Sequence, residues 1–299
     1  MLTDDAIEQV VRLALREDAP WGDVTSEALI PVDATASASV VAREAGVLSG
    51  VRVLRETARQ VDPLIEVETR AADGDRFEAG DTVAVVRGSA RSILRAERVA
   101  LNLLQRLSGI ATLTSEYVAL TAGTSAQIVD TRKTTPGLRA LERDAVVAGG
   151  GLNHRFSLSD AVLVKDNHLA VLLASGLTVT EALLTMKAKL SHTTHVEVEV
   201  DRLDQIEEVL AAGVDTIMLD NFSPADLVAG VAAVAGRALV EASGGVNLET
   251  VAAIARSGVD LISVGALTHS VRALDLGLDI SIDSRAGSSG RAPAGFAAL

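Results

Sequence analysis

The sequence predicts an α/β protein in two parts, a small and mostly antiparallel sheet followed by a parallel barrel, and three observations carry that prediction. Six short apolar runs in the second half each end in a polar or small residue: AQIVD at Asp130, AVLVK at Lys165, HVEVE at Glu199, TIMLD at Asp220, ALVEAS at Ser243 and LISVG at Gly265. Successive ends lie 35, 34, 21, 23 and 22 residues apart, room each time for a helix and two loops, so every connection can cross back and begin a parallel strand. The first part has another period: residues 35 to 87 alternate through SASVVAREAGVLSG and LIEVETRAADGDRFEAGDTVAVVRG, with turn residues at Asp73-Gly74 and Gly80-Asp81.

In chain order, residues 3 to 17 are expected to form a helix capped by Thr3 or Asp4, with Ile7, Val10, Val11 and Leu15 along one side. After the antiparallel part, residues 91 to 109 (RSILRAERVALNLLQRLSG) have helical periodicity, and Gly109 stands where a helix would stop. Their polar residues Arg91, Arg95, Arg98, Asn102 and Gln105 fall on one narrow stripe, either a solvated face or one turned to an anionic ligand or another subunit. Pro136 suits a first helical turn, LRALERDAVVA is the helix, and Gly149 to Gly151 end it as a cap rather than a phosphate loop. LDLGLDISID alternates strictly from Leu274 to Asp283, a half-buried strand expected to return to the first sheet. The expected division is residues 1–110, joined by strand 274–283, then a barrel over 111–273 and a disordered tail over 284–299.

Hydrophobic residues make up 48% of the 299 and aromatics only 2%, so the core must be built from Ala, Val, Leu and Ile. A net charge of -13 argues against nucleic acid, so any anion bound must meet a local basic cluster. The absence of cysteine excludes disulfides, cysteine nucleophiles and thiolate metal sites. The acidic, amphipathic N-terminus does not read as a signal peptide, and no run approaches the roughly 20 apolar residues of a spanning helix, so a cytoplasmic protein is expected. Arginine outnumbers lysine 23 to 4, yet two of the four lysines, Lys133 and Lys165, stand at or just past strand ends.

Parallel barrels place their working groups at the C-terminal ends of the strands. Here those ends supply Asp130, Lys165, Glu199 and Asp220, with Arg132 and Lys133 just past the first. Arg132, Lys133, His154, Arg155 and Lys165 converge on one rim and suit a ligand with several carboxylates or phosphates, each charge-assisted hydrogen bond contributing about 1.5 to 3 kcal/mol. The competing reading pairs Arg132 and Arg155 with Glu142 or Asp144 as ordinary surface charges. ASGG and VGALTH follow the last two strands, where backbone N–H groups and a helix start commonly hold phosphate, with His269 as a further donor. The acids of VEVEV, Glu197 and Glu199, are expected to divide between the two sides of the wall, one facing inward. Glu199 and Asp220 suit ribose hydroxyls or magnesium-bound water, unless Glu199 is spent on a salt bridge to Lys165. His168, His192 and His195 lack a metal-ligand spacing.

DTRKTTPGLR, GGGLNHR, VKDNH, VEVEVD, MLDNF, SGG and VGALTHS, in this order and spacing, resemble the quinolinate phosphoribosyltransferases, also called nicotinate-nucleotide pyrophosphorylases (carboxylating). EDAPWGDVTSEAL and RAERVALNLLQRLSGIAT extend the resemblance through the first part. The resemblance implies a mixed α/β N-terminal sandwich domain and a barrel short of the ideal eight strands. It implies a homodimer with sites at the subunit boundary, Arg98 reaching the partner's barrel. Arg132, His154, Arg155 and Lys165 would surround the two carboxylates of quinolinate, and Lys133 would lie near the pyrophosphate of phosphoribosyl pyrophosphate. Glu199 and Asp220 would lie near ribose and magnesium, and Ser243, Gly244, Gly265 and His269 at the 5-phosphate. Glu199, Asp220, Lys133 and Lys165 would be the catalytic groups of a transfer with decarboxylation that yields nicotinate mononucleotide. On the residues alone, a transferase for another acceptor, an aldolase-like barrel with Lys165 as Schiff-base lysine, and an inactive structural barrel stay open. A lipoyl-type carrier hairpin is excluded, because no lysine precedes Lys133.

Overall fold

The computed structural model describes residues 2–174 and 176–282. The first half of the chain runs α1 (Asp4–Asp18), α2 (Val24–Leu29), β1 (Thr35–Ala42), β2 (Gly46–Val47), α3 (Val51–Val61), β3 (Glu66–Thr69), β4 (Arg76–Phe77), β5 (Thr82–Ser89) and α4 (Ala90–Leu120). The second runs β6 (Gln127–Val129), α5 (Arg139–Ala148), β7 (Val162–Val164), α6 (Asp166–Leu173), α7 (Val179–Lys187), β8 (Val196–Val200), α8 (Ile206–Leu210), β9 (Thr216–Asp220), α9 (Pro224–Val234), β10 (Leu239–Ser243), α10 (Val251–Ala255), β11 (Leu261–Ser263), α11 (Ala266–His269) and β12 (Leu276–Ile282).

Helix α1 starts where its cap dictates: Thr3 accepts a hydrogen bond from the Ala6 amide, and Ile7 and Val11 are buried one turn apart. The alternating segments build an antiparallel sheet in the order β12-β1-β5-β3. Ala36, Ala38, Val40 and Ala42 of β1 point into the core, every second residue, as the pleat requires. The late strand does return to this sheet, with Val40 opposite Leu278 and Ala38 opposite Ile280. Asp283 and the tail 284–299 lie outside the described residues. Helix α3 covers a stretch for which the alternation gave no sign.

Helix α4 departs from expectation. It runs 31 residues and passes straight through Gly109. That glycine does not end the helix; it lets another backbone lie against it, for a Cβ there would sit 2.2 Å from the Arg272 carbonyl oxygen. The Leu274 amide donates to the Gln105 carbonyl at 3.0 Å beside it, so the chain entering β12 is stitched to the helix wall. Pro136 also sits earlier than expected, in the turn before α5 rather than in its first turn.

The second sheet is wholly parallel, in the order β6-β11-β10-β9-β8-β7. Ile128, Ile262, Val240, Ile217 and Val198 are buried on these strands and form the spine of the core. Beyond β6, Leu152 adds a parallel bridge to Val129, and among the described residues no strand pair joins that point to β7. The wall is thus a six-stranded barrel with an open side. Its C-terminal ends carry Asp130, Lys165, Glu199, Asp220, Ser243 and Gly265, in the places the apolar runs predicted.

Candidate active site

A cleft of about 630 Å³ opens at these strand ends and brings together Arg132, Lys133, His154, Arg155, Lys165, Glu199, Asp220, Ser243 and Gly244. An apolar cavity of about 500 Å³ between β7, α6 and α7 holds no convergent charges comparable to these. The cations arrive from the loop after β6, the turn before β7 and the end of β7; the acids arrive from β8 and β9.

Asp130 is fully buried and is not presented to the cleft as the strand-end reading implied. Its carboxylate accepts from the His154 amide at 2.7 Å and from Arg143 Nη1 at 3.2 Å, so it anchors the turn that carries His154 and Arg155. Burial pushes the Asp130 carboxyl up to about 6 despite the nearby Arg143. Arg143 also donates to the Arg155 carbonyl and lies 5.3 Å from the Phe156 ring centre.

Neither Arg132 nor Arg155 pairs with Glu142 or Asp144. Glu142 is taken by Arg106 at 2.7 Å, and Arg155 Nη1 donates to the Ala161 carbonyl at 2.9 Å. Burial, reinforced by the charge of Arg132, lowers the Arg155 pKa. The Arg132 Nε is buried with no partner among the described residues. A desolvated guanidinium N–H is costly to leave unmade, so this group is poised for an anion. Lys165 Nζ meets Glu199 Oε2 at 2.5 Å, so the competing ion pair exists, inside the cleft. That contact occupies the amine that Schiff-base chemistry would need free.

Glu197 and Glu199 do not divide between two sides. Residues two apart on a strand share a face, and both acids face the barrel interior, Glu199 toward Lys165 and Glu197 deeper. Glu197 Oε2 lies 2.9 Å from His154 Nε2, with Glu241 Oε2 at 3.6 Å. The Arg155 amide donates to His154 Nδ1 at 2.7 Å. Both ring nitrogens are therefore committed to the protein, and His154 forms the floor of the cleft rather than offering a free N–H to it. Burial disfavours the charged ring, but the bond to Glu197 and the charge of Glu241 outweigh it and raise the His154 pKa. Glu241, 1% exposed, is pushed up to about 8, first by burial and then by the charge of Glu197.

The remaining side is backbone. Ser243 ends β10, and Gly244 and Gly245 follow with φ of +85° and +62°. A Cβ on Gly244 would lie 2.2 Å from Asn221 Oδ1, whose amide nitrogen donates to Asp220 at 2.6 Å. Gly265 opens α11, and a Cβ there would touch Lys133 Cδ at 3.0 Å and His269 Nε2 at 3.1 Å, so Gly265 packs Lys133 and His269 against one another. For a metal, Glu199 and Asp220 offer carboxylate oxygens on adjacent strands, the donor set of a hard cation. His154, Glu197 and Glu241 also offer one ligand atom each within 4.8 Å of one another.

Residues 110–279 match the family model of the quinolinate phosphoribosyl transferase C-terminal domain, and residues 23–108 match that of its N-terminal domain. The chain belongs to the quinolinate phosphoribosyltransferase family. It is 44% identical over 289 residues to the nicotinate-nucleotide pyrophosphorylase (carboxylating) of Mycobacterium leprae, covering 94% of this chain and 100% of that protein. It is 40% identical over 268 residues to the probable nicotinate-nucleotide pyrophosphorylase (carboxylating) of Bacillus subtilis strain 168, 90% and 91% of the two chains. Among solved structures it resembles NadC from Streptococcus pyogenes, with a TM-score of 0.90 and 41% identity over 95% of this chain and 99% of that one.

Within this quinolinate phosphoribosyltransferase chain the polar stripe of α4 splits in two. Arg91 donates to the Ile30 and Glu27 carbonyls and Gln105 to the Leu276 carbonyl, all of them structural uses. Arg98 is more than half exposed, forms an ion pair with Glu97 at 3.9 Å, and does not line the cleft of its own chain. Sequence reasoning missed Glu241 and Arg106. Glu241 had a signal, as the sole charge inside the apolar run ALVEAS. Arg106 had none, because its partners lie on loops 29 and 162 residues away.

Proposed function

We infer that the chain is a quinolinate phosphoribosyltransferase, a pentosyltransferase. It transfers the phosphoribosyl group of phosphoribosyl pyrophosphate to quinolinate with decarboxylation, giving nicotinate mononucleotide, pyrophosphate and carbon dioxide in de novo NAD biosynthesis. The observation that supports this site assignment is the Arg132 Nε, without a partner among the described residues, beside Arg155, Lys133 and Lys165 on one half of a cleft whose other half is acid and glycine turn.

On this reading Arg132, Arg155 and Lys165 grip the two carboxylates of quinolinate and aim its ring nitrogen at C1 of the ribose. His154 acts beneath them: through Nδ1 it fixes the Arg155 backbone, so its part is positioning and not direct contact. Lys133 meets the departing pyrophosphate, while Ser243, Gly244, Gly265 and His269 hold the 5-phosphate. Glu199 and Asp220 stabilise positive charge developing on the ribose as the bond to pyrophosphate breaks. The same two acids would hold Mg2+, whose contribution when bound is to neutralise charge on the leaving group. Quinolinate's arrival draws Lys165 from Glu199, which frees that carboxylate for the ribose side. Once the ring nitrogen is quaternary, the electron pair left by departing carbon dioxide stays at C2 and takes up a proton.

The proposal includes a homodimer in which Arg98 crosses to the partner's cleft. The exposure of Arg98 on α4, and of an apolar group on and just before α2, the helix packed against α4, with Trp21 at 92%, Val24 at 78% and Leu29 at 74%, supports this. A cytoplasmic location belongs to the same proposal; no described helix is long and apolar enough to cross a membrane. Acceptor selectivity tests the reading: with phosphoribosyl pyrophosphate and magnesium, quinolinate should be consumed and nicotinate should not. Faster product formation from nicotinate would reject it.

A further inference from the structure

One guanidinium joins the two loops that flank the donor side of the cleft. Arg106, on α4, donates through Nε to Glu142 Oε1 at 2.8 Å and through Nη2 to Thr135 Oγ1 at 2.8 Å and to the Thr268 carbonyl at 2.7 Å. Glu142, on α5 and fully buried, uses its other oxygen to accept from the Thr135 amide at 3.0 Å. The buried Thr268 closes the circuit, its hydroxyl donating to the Lys133 carbonyl at 2.8 Å. Thr135 is two residues past Lys133, and Thr268 immediately precedes His269.

We propose that Arg106 is a positioning residue that sets the spacing between the Lys133 loop and the Gly265–His269 turn, and so between the two phosphate-bearing ends of the donor. This rests on the proposed function, in which those loops meet the pyrophosphate and the 5-phosphate of one molecule. The acceptor side has a separate support. Arg139 donates to Thr134 Oγ1 at 3.0 Å, to the Arg132 carbonyl at 3.4 Å and to the Phe156 carbonyl at 3.4 Å, and so ties down the quinolinate end of the same loop. The loop is pinned at two points by two arginines, each serving a different substrate.

The geometry follows from residue type. A planar guanidinium can address a carboxylate, a hydroxyl and a carbonyl at once, and an ammonium on a lysine stem cannot hold all three directions. Losing one anchor shifts a loop by a fraction of a bond length or more, and displacements near 1 Å cost up to about 100-fold in reactivity.

Steady-state kinetics of Arg106→Lys and of the charge-neutral double variant Arg106→Gln/Glu142→Gln test this, the second avoiding an uncompensated buried carboxylate. The KM for phosphoribosyl pyrophosphate should rise by about 10- to 100-fold while that for quinolinate stays within about 3-fold. Arg139→Lys should show the reverse split. Thermal stabilisation by phosphoribosyl pyrophosphate alone should be lost in the Arg106 variants, and that by quinolinate kept. Equal rises in both KM values, or a lowered melting temperature with an unchanged donor KM, would show a merely structural strut and overturn the inference. A wild-type protein inactive with both substrates would overturn the proposed function itself, and this inference with it.

Discussion

Arg132→Gln separates the acceptor from the donor most sharply, because Arg132 Nε is buried with no partner among the described residues. The cost of stripping that N–H of water, about 1 to 3 kcal/mol, is already incurred on folding. A quinolinate carboxylate that accepts from it therefore gains a charge-assisted bond of about 1.5 to 3 kcal/mol without a new desolvation cost on the protein side. At about 1.4 kcal/mol per decade, losing that bond raises the quinolinate KM by roughly 10- to 150-fold. Arg155 is a poorer probe, since its Nη1 already holds the Ala161 carbonyl and its removal would also loosen the turn before β7. The assay is initial-rate formation of nicotinate mononucleotide, varying each substrate at saturating levels of the other. The donor KM should stay within about 3-fold of wild type. Parallel rises in both KM values would refute the assignment of Arg132 to the acceptor.

Other perturbations read the buried parts of the site. Glu241 is raised to about 8 and Asp130 to about 6, so each of these two carboxyls binds more protons folded than unfolded, and the stability it contributes falls as pH rises from about 4 toward its folded value. Glu241→Gln should flatten the part of that fall between pH 6 and pH 8 in thermal unfolding across pH; a variant as steep as wild type would show Glu241 already ionised. Gly109→Ala exchanges glycine for the best helix former, a gain of about 1 kcal/mol by propensity alone. Its Cβ would nonetheless sit 2.2 Å from the Arg272 carbonyl oxygen, and overpacking costs about 1 to 3 kcal/mol, so the melting temperature should fall; a rise would mean the close approach is easily relieved. Chelation with EDTA should stop turnover and magnesium should restore it, with unfolding of the ligand-free protein unmoved. If chelation instead unfolds the protein, the metal is structural and the His154, Glu197 and Glu241 cluster becomes its place.

Much of the site was legible because a barrel turns one-dimensional order into a ring: an apolar run that ends in Asp220 or Ser243 puts that residue on the rim wherever the strand lies. Depth and direction were less legible. Asp130 stands at a strand end like Lys165, yet hydrogen bonds from the His154 amide and Arg143 pull it into the interior, and those donors come from a turn 24 residues on and a helix 13 residues on. His154 carries the right residue type in the right motif, but its ring is committed to Glu197 and the Arg155 amide, which only coordinates show. Gly109 read as a helix stop because glycine commonly serves there; its actual use depends on Arg272, distant in sequence and adjacent in space. The same holds for Arg106, whose function lies in loops that only the closed fold brings to it.

The most direct measurement incubates the purified protein with magnesium, phosphoribosyl pyrophosphate and quinolinate labelled with carbon-14 in the 2-carboxylate, and counts labelled carbon dioxide against nicotinate mononucleotide. One carbon dioxide per mononucleotide, with neither formed when any one component is omitted, is the expected result. Mononucleotide without labelled carbon dioxide, or no turnover by folded protein with all three components present, would contradict the reaction assigned to this cleft.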